Sequence, residues 1–457
     1  MTPDALLPAR GLPGRAAVAS RARAVAALLA ALALGLWSSL ASAVLPIEHW
    51  TTARGARVYF VRADAIPMLD LSVDFDAGSR HDPPGKSGLA SMTAGMLARG
   101  VEGLDEAALA ERFADIGASR GGGAGDDRAS VSLRTLTSPR ERDAAIDLIA
   151  RIVSRPTFPA EPLARERERS IQALREAQTR PDAIAQRTFS ELLYPTHPYG
   201  REPDPESVAR IERADLVDFH RRRFGADRAV VSMIGAVTRA QAESIAERLT
   251  AGLPAGEAPA EMPAVEAPPA VDRRIPHPAT QSHILMGTPA LARGDPDYFP
   301  LFVGNYVLGG GGFVSRLTAE VREKRGLAYS VYAYFSPMLQ PGPFAVGLQT
   351  QKAQTEEALK VVRETVARFV REGPTEAELT AAKQNLVGGF ALRIDSNRKI
   401  LDNLANIGWY RLPLDYLERW TDQVERVDTR QVREAFQRKI PPDRLVTVVV
   451  GAGEAPP

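Results

Sequence analysis

Arg322 and Tyr329, seven residues apart in the stretch LGGGGFVSRLTAEVREKRGLAYSVYAYF at 308–335, are the side chains whose types and spacing best suit chemistry. A guanidinium is a permanent cation with several N–H donors, and a phenol adds an O–H donor. Held together, they can grip a polarised carbonyl oxygen and stabilise the negative charge that develops on it. Each also has a plainer reading. Arg322 shares its helical turn with Lys324 and Arg325, where cations suit the negative end of a helix dipole. Tyr329 shares its strand with Tyr332 and Tyr334, so ordinary strand packing would account for it. The elements that must position the pair are legible. Ser315 can cap a short helix, and Gly326 follows the last turn where a left-handed stop belongs. Residues 329–335 then show the tyrosines and β-branched residue of a strand. The four glycines at 309–312 lack the GK[ST] ending of a phosphate loop and read as close backbone approach at a helix junction.

The chain of 457 residues predicts two domains of ordinary size. It is 44% hydrophobic and 25% charged, as expected of globular domains with full cores. A formal net charge of +1 gives no reason to expect a nucleic-acid or anionic-membrane partner. With no cysteine there is no disulfide, no thiolate-bound metal and no thiol nucleophile. At the N-terminus Arg10, Arg15, Arg21 and Arg23 precede an apolar run at 24–37, followed by Ala41, Ser42 and Ala43. That is the layout of a secretory signal peptide over residues 1–43, with Val44 as the first mature residue. The alternative is an uncleaved anchor, for which the run is short against the roughly 20 residues a spanning helix needs. The expectation is therefore export, to the periplasm where the cell has an outer membrane, and no membrane association after cleavage. Losing the leader removes four arginines and Asp4, turning +1 into −2.

Residues 253–272, LPAGEAPAEMPAVEAPPAVD, are rich in Pro, Ala and Glu without a periodic apolar face and read as a semi-extended linker. It divides the mature chain into residues 44–252 and 273–457. The halves resemble each other. FGADRAVVSMIGAV from Phe224 and IPPDRLVTVVVGAG from Ile440 align at an offset of 216, each after an amphipathic helix, at 213–223 and 429–439. Leu69, Leu71, Val73 and Phe75 alternate with polar residues, as a half-buried strand does, and a helix at 86–98 follows. In the second half a strand at 282–287 precedes a helix at 298–308. Longer helices are expected at 161–179 and 355–371, and another from Thr375. Strands and helices without strict alternation predict an α+β class, here a tandem duplication whose halves close face to face.

Two segments carry a family resemblance: DAGSRHDPPGKSGLASMTAGMLARGV at 76–101, and the stretch around Arg322. Together they resemble the pitrilysin/insulinase zinc peptidases, which include the mitochondrial processing peptidases, and the likeness extends over nearly all of the mature chain. The resemblance implies a clamshell of which this chain forms half. In catalytic members the helix after the first segment carries HxxEH, two histidines for Zn²⁺ and a glutamate that activates water. A second glutamate some 75–80 residues on completes the site. Here the motif positions hold Ser91, Ala94 and Gly95, and only Glu176 falls near the distal ligand position. None of the six histidines, His49, His81, His197, His220, His277 and His283, pairs with another at ligand spacing. No metal ligand is therefore assigned in this chain.

The second motif is intact, and the resemblance implies that Arg322 and Tyr329 contact the carbonyl of a bound peptide. It also implies that peptides add to a sheet edge near Gly121, Gly122 and Gly123, where a flexible surface turn is an equal reading. HPYGR at 197–201 resembles a family loop to which no chemistry attaches. The expected function is that of a complementary subunit, inactive alone and without its own cofactor. A homologous partner with HxxEH would bring Zn²⁺, and this chain would supply Arg322 and Tyr329 for hydrolysis of unfolded peptides. The alternative is a catalytically inactive peptide-binding or scaffold protein of the same fold.

Overall fold

The computed structural model describes residues 46–258 and 261–451; the leader expected at 1–43 lies outside them. In the first half, β1 (Glu48–Thr51), β2 (Arg57–Arg62), β3 (Met68–Phe75), β4 (Ser119–Ala124), β5 (Ala129–Leu136) and β6 (Val230–Gly235) form one sheet, ordered β1-β2-β6-β3-β5-β4. In the second, β7 (Asp272–Pro276), β8 (Gln281–Leu291), β9 (Ala328–Phe335), β10 (Gly342–Gln351) and β11 (Val446–Gly451) are ordered β7-β11-β8-β10-β9. Without β1 the two orders are the same. So are the directions: β2–β6 and β7–β11 pair parallel, and the other pairs are antiparallel. The helices also correspond. Five in each half match; in the first half they are α1 (Leu89–Met96), α2 (Pro139–Ser154), α3 (Ala160–Ala177), α4 (Pro181–Leu193) and α5 (Arg213–Arg223). In the second they are α6 (Tyr298–Asn305), α7 (Thr355–Glu372), α8 (Glu376–Gly388), α9 (Asn397–Tyr410) and α10 (Thr429–Lys439). The duplicated α+β architecture is thus present in the fold.

Local chemistry accounts for the boundaries. Thr375 and Glu378 form a reciprocal capping box at the start of α8, as Asp428 and Gln431 do for α10. α7 buries Leu359, Val362, Val366 and Phe369 along one stripe and ends at Gly373, whose φ of +72° suits glycine. β5 alternates Val131 and Leu133 toward the core with Ser132 and Arg134 away from it. α1 is shorter than the helix expected at 86–98, because Gly88 at φ +99° starts it.

The halves are joined by an exchange of helices. α4, from the first half, lies on the second sheet, where Ala185, Phe189 and Leu193 pack with Leu285, Val446 and Val448. α9, from the second half, lies on the first sheet, so close that a Cβ on Gly408 would sit 2.6 Å from Val230 and 2.8 Å from the Tyr59 ring. From Ile47 onward the halves therefore belong to one compact unit. The HPYGR loop has a structural place in this union. Tyr199 donates to Asp127 Oδ1 (2.6 Å), whose other oxygen accepts from Leu339 N (2.9 Å), and the His197 ring contacts Pro263 O (3.1 Å). The expected linker is thus held at His197, and its Met262 and Val265 pack against the interface.

The exchange corrects one expectation. β3 is not half-buried: Asp70, Ser72 and Asp74 on its polar face are covered as fully as Leu71 and Val73. A helix from the other half closes that face, and a polar layer satisfies it. Arg134 Nε donates to Asp70 (2.7 Å). Asp74 accepts from Ser130 and lies 3.6 Å from Arg128 Nε, while Arg128 reaches across to Asn406 Oδ1 (2.9 Å) and Ala405 O (3.2 Å). Burial raises the pKa of Asp74 against the pull of Arg128. Arg128→Ala is expected to destabilise the chain by about 3 kcal/mol at pH 7, since it leaves a buried carboxylate without its cation. The urea-unfolding midpoint measures this, and the deficit should shrink as pH falls and Asp74 takes up a proton. A midpoint unchanged at pH 7 would show that the layer does not hold the halves.

Candidate functional site

The segment carrying Arg322 and Tyr329 is shaped by two widened helical turns. After α6 the chain turns through Tyr306–Gly310 with an i→i+5 bond from Gly311 N to Tyr306 O (2.9 Å), where a regular helix to 308 was expected. Gly309 lies against β9: a Cβ there would be 2.7 Å from Ala333 N, the close backbone approach expected of the glycine run. Gly312, at φ +61°, then sends Phe313 and Val314 outward, 69% and 76% exposed. Ser315 Oγ accepts from Thr318 N (3.4 Å), so the expected cap is present. Arg316 fixes the start of the next turn through a two-pronged pair with Glu378 (2.7 and 2.6 Å).

The second widened turn, Thr318–Glu323, is marked by Lys324 N bonding Ala319 O (3.0 Å). Lys324 and Arg325 converge on Glu320 and hold its carboxyl down at about 2. Gly326, at φ +62°, stops the turn, and its N–H reaches Arg322 O (2.8 Å). In β9 the register slips between Ala328 and Val331, so Tyr329 and Ser330 stand in a bulge at the sheet's outer strand.

These elements bring Arg322 and Tyr329 together. The Arg322 guanidinium lies between two aromatic rings, 4.6 Å from Phe313 and 4.8 Å from Tyr329. It donates one N–H to the carbonyl of Tyr329 (3.1 Å) and pairs with Glu323 (3.3 Å). The Tyr329 side chain is 84% exposed. The cation is therefore fixed by stacking, with donors left over for a ligand. Sequence reasoning missed Phe313. Its signal was a bulky apolar residue directly after four glycines, where nothing buries it. A cavity of about 200 Å³ adjoins Tyr329, lined also by Tyr332, His283, Gln349 and Asp182. Burial lowers the pKa of His283.

In the first half, Asp82 anchors the start of α1 by accepting from Gly88 N (2.7 Å) and Ala90 N (2.8 Å), and its burial holds the carboxyl up at about 6. Ser91 and Gly95 lie one turn apart on the outward face of α1, with Ala94 half-buried between them. A cavity of about 310 Å³ separates this face from α3 and is lined by Ser91, Gly95, Glu166, Ser170, Ala173 and Leu174. Glu176 is not at the distal position in space. It is exposed on α3 outside this lining, and Ala173 faces α1 instead. The reason is helical phase: residues 170, 173 and 174 share a face, and at 3.6 residues per turn position 176 stands roughly 120° around the helix from 170. The carboxylate that does line the cavity, Glu166, pairs with Arg99 (2.9 Å). Among the described residues no three His, Cys, Asp or Glu side chains converge as a metal would need. His81 is held instead by Asp76 (2.8 Å). The residues present do not fit a zinc ion. Near the glycines at 121–123 the chain forms the edge strand β4 and not a turn, paired with β5 on one side only.

Comparison with known proteins agrees with both halves. The family model described as Insulinase (Peptidase family M16) matches residues 59–202, and that described as Peptidase M16 inactive domain matches residues 210–386. The crystal structure of a peptidase M16 inactive domain from Pseudomonas fluorescens is 38% identical, with a TM-score of 0.86 over 90% of this chain and 99% of that one. The uncharacterized zinc protease YmxG of Bacillus subtilis is 24% identical over 90% of this chain and all of its own. A protein of Helicobacter pylori named non-peptidase homolog YmxG is 25% identical over 89% of this chain and 94% of its own.

Proposed function

This chain belongs to the insulinase peptidase family, M16, and from that premise we propose that it is the complementary subunit of a two-chain zinc peptidase. One asymmetry carries the reading. The positions of HxxEH hold Ser91, Ala94 and Gly95, which bring no metal ligands, while a half-buried Arg322 and an exposed Tyr329 are assembled and left with donors. A homologous partner bearing HxxEH would supply zinc and the base. This chain's part is to bind: an unfolded peptide pairs with the free edge of β4, whose glycines leave its main chain open, and Arg322 and Tyr329 hold a carbonyl as negative charge develops on it. The leader pattern at 1–43 supports a site of action outside the cytoplasm. Among the described residues no helix is long and apolar enough to cross a membrane.

The test is to purify the tagged chain from its own host and assay it on an internally quenched peptide, alone and with whatever HxxEH chain it retains. The expected result is no cleavage by the chain alone and chelator-sensitive cleavage by the pair. Zinc-dependent cleavage by this chain alone would overturn the reading, as would a partner whose kcat is the same without it. One observation favours a second reading. Arg322 already donates to Tyr329 O and stacks on two rings, an arrangement that also suits a peptide-binding scaffold without a share in catalysis.

A further inference from the structure

A third cavity, of about 460 Å³, lies where the C-terminal end of α9 meets the ends of β2 and β3, and it shares no residue with either site above. Four guanidiniums line it, those of Arg57, Arg80, Arg228 and Arg411, against two carboxylates, Asp76 and Asp227. We propose that this cavity binds a phosphate-class oxyanion, free or carried on a small organic molecule.

Three observations support it. First, the carboxylates do not balance the cations. Asp76 is already engaged by Arg80 and His81, and Asp227 is largely exposed and 3.8 Å from Arg228 Nε. Asp127, behind the wall, stands 3.7 Å from Arg80 Nε but accepts from Tyr199 and Leu339 N, and Arg128, which lies over the Trp409 ring, already faces Asp74 at 3.6 Å. Like charges gathered in a partly enclosed space repel unless a counter-ion joins them.

Second, the wall has more donors than acceptors. Arg80 Nε, Arg228 Nε and Trp409 Nε1 are buried without a hydrogen-bond partner among the described residues, and the Arg80 side chain is only 8% exposed. Unpaired buried donors are uncommon, and three behind one cavity wall leave this region richer in donors than in acceptors. Third, Arg411 holds a left-handed conformation, φ +53°, at the end of α9, where glycine is the unstrained choice. A cationic side chain is kept there despite the backbone strain, on the rim of the cavity. Guanidiniums suit planar or tetrahedral oxyanions through paired N–H donors, and four of them outnumber the two oxygens of a carboxylate. Phosphate or diphosphate has enough acceptor oxygens.

The experiment is isothermal titration and thermal unfolding of the full chain with sodium phosphate and with sodium pyrophosphate, against sodium chloride at matched ionic strength. Saturable binding of either anion is expected, with a rise in the unfolding midpoint that chloride does not give. Arg228→Gln combined with Arg411→Gly should weaken that binding at least tenfold. In phosphate-free buffer Arg411→Gly alone should unfold at or above the wild-type temperature, because glycine relieves the left-handed strain and one cation leaves the cluster. A purely structural arginine would not combine lost anion affinity with retained stability. Absence of saturable binding of both anions, or unchanged affinity in the double variant, overturns the proposal.

Discussion

Replacing Arg322 with alanine is expected to lower the kcat of the proposed two-chain peptidase by about 100- to 1,000-fold, the effect of losing one donor to a developing oxyanion. Two conservative variants separate that role from packing. Tyr329→Phe keeps the ring 4.8 Å from the Arg322 guanidinium and removes only the hydroxyl, so a large fall in kcat would assign the loss to the O–H donor. Arg322→Lys keeps a charge but gives up the planar group that lies between Phe313 and Tyr329, and a lysine recovers little of the function where geometry matters. The pair acts on one oxygen, so the double variant should fall short of the product of the single effects. Steady-state kinetics on the mixed chains decide the matter. A fall in kcat at near-constant KM marks an interaction made in the transition state. A rise in KM with kcat unchanged in both variants would remove the catalytic role and leave a peptide-binding scaffold.

How much of this segment was legible depends on how local its causes are. Ser315 as a cap and Gly326 as a left-handed stop are one-residue requirements of the backbone, and both stand where the sequence put them. The ends of α5, α10 and β5 follow from equally local patterns. The widened turns at Tyr306–Gly310 and Thr318–Glu323 do not, because they answer to tertiary contact: β9 passes within 2.7 Å of where a Gly309 Cβ would lie. The buried polar face of β3 was read as solvent-facing for the same reason, since the helix that covers it comes from some 330 residues further along the chain. Glu176 illustrates a different limit. Counting residues along the chain places it near the resembled ligand, but only the phase of α3 against α1 shows that Ser170, Ala173 and Leu174 line the cavity and Glu176 does not. The anion cavity is assembled from five separate stretches, and no spacing in sequence announces it.

The helix exchange bears on why the metal positions can be lost without loss of the fold. α9 closes the first sheet from outside the first half, and the core beneath α1 is built from Leu89, Ala90, Met92 and Met96. Ser91 and Gly95 contribute nothing to that core, since both face outward into the cavity toward α3. Substitutions at these two positions leave that core alone, while Ala94 between them packs against it.

The same separation makes the lost site recoverable. Ser91→His, Ala94→Glu and Gly95→His, with Ala173→Glu, are expected to create a zinc site with an apparent binding free energy of about 10 kcal/mol or more, where the wild-type chain retains no stoichiometric zinc. The space exists: a Cβ on Gly95 meets nothing within 4 Å, and Ser91 is exposed one turn away on the same face. Two imidazoles at i and i+4 then point into the cavity that Ala173 enters from α3. Competition against a chelating dye measures the affinity. The informative comparison omits Ala173→Glu and leaves Glu176 as the only native candidate. Glu176 lies outside the cavity lining, so that three-site variant, short of one of the three protein ligands a catalytic zinc takes, should bind zinc more weakly by at least about the tenfold that loss of an outer-shell partner alone costs. Equal affinity with and without Ala173→Glu would mean that Glu176 reaches the metal after all, and stoichiometric zinc on the wild-type chain would remove the reason for assigning the metal to a partner.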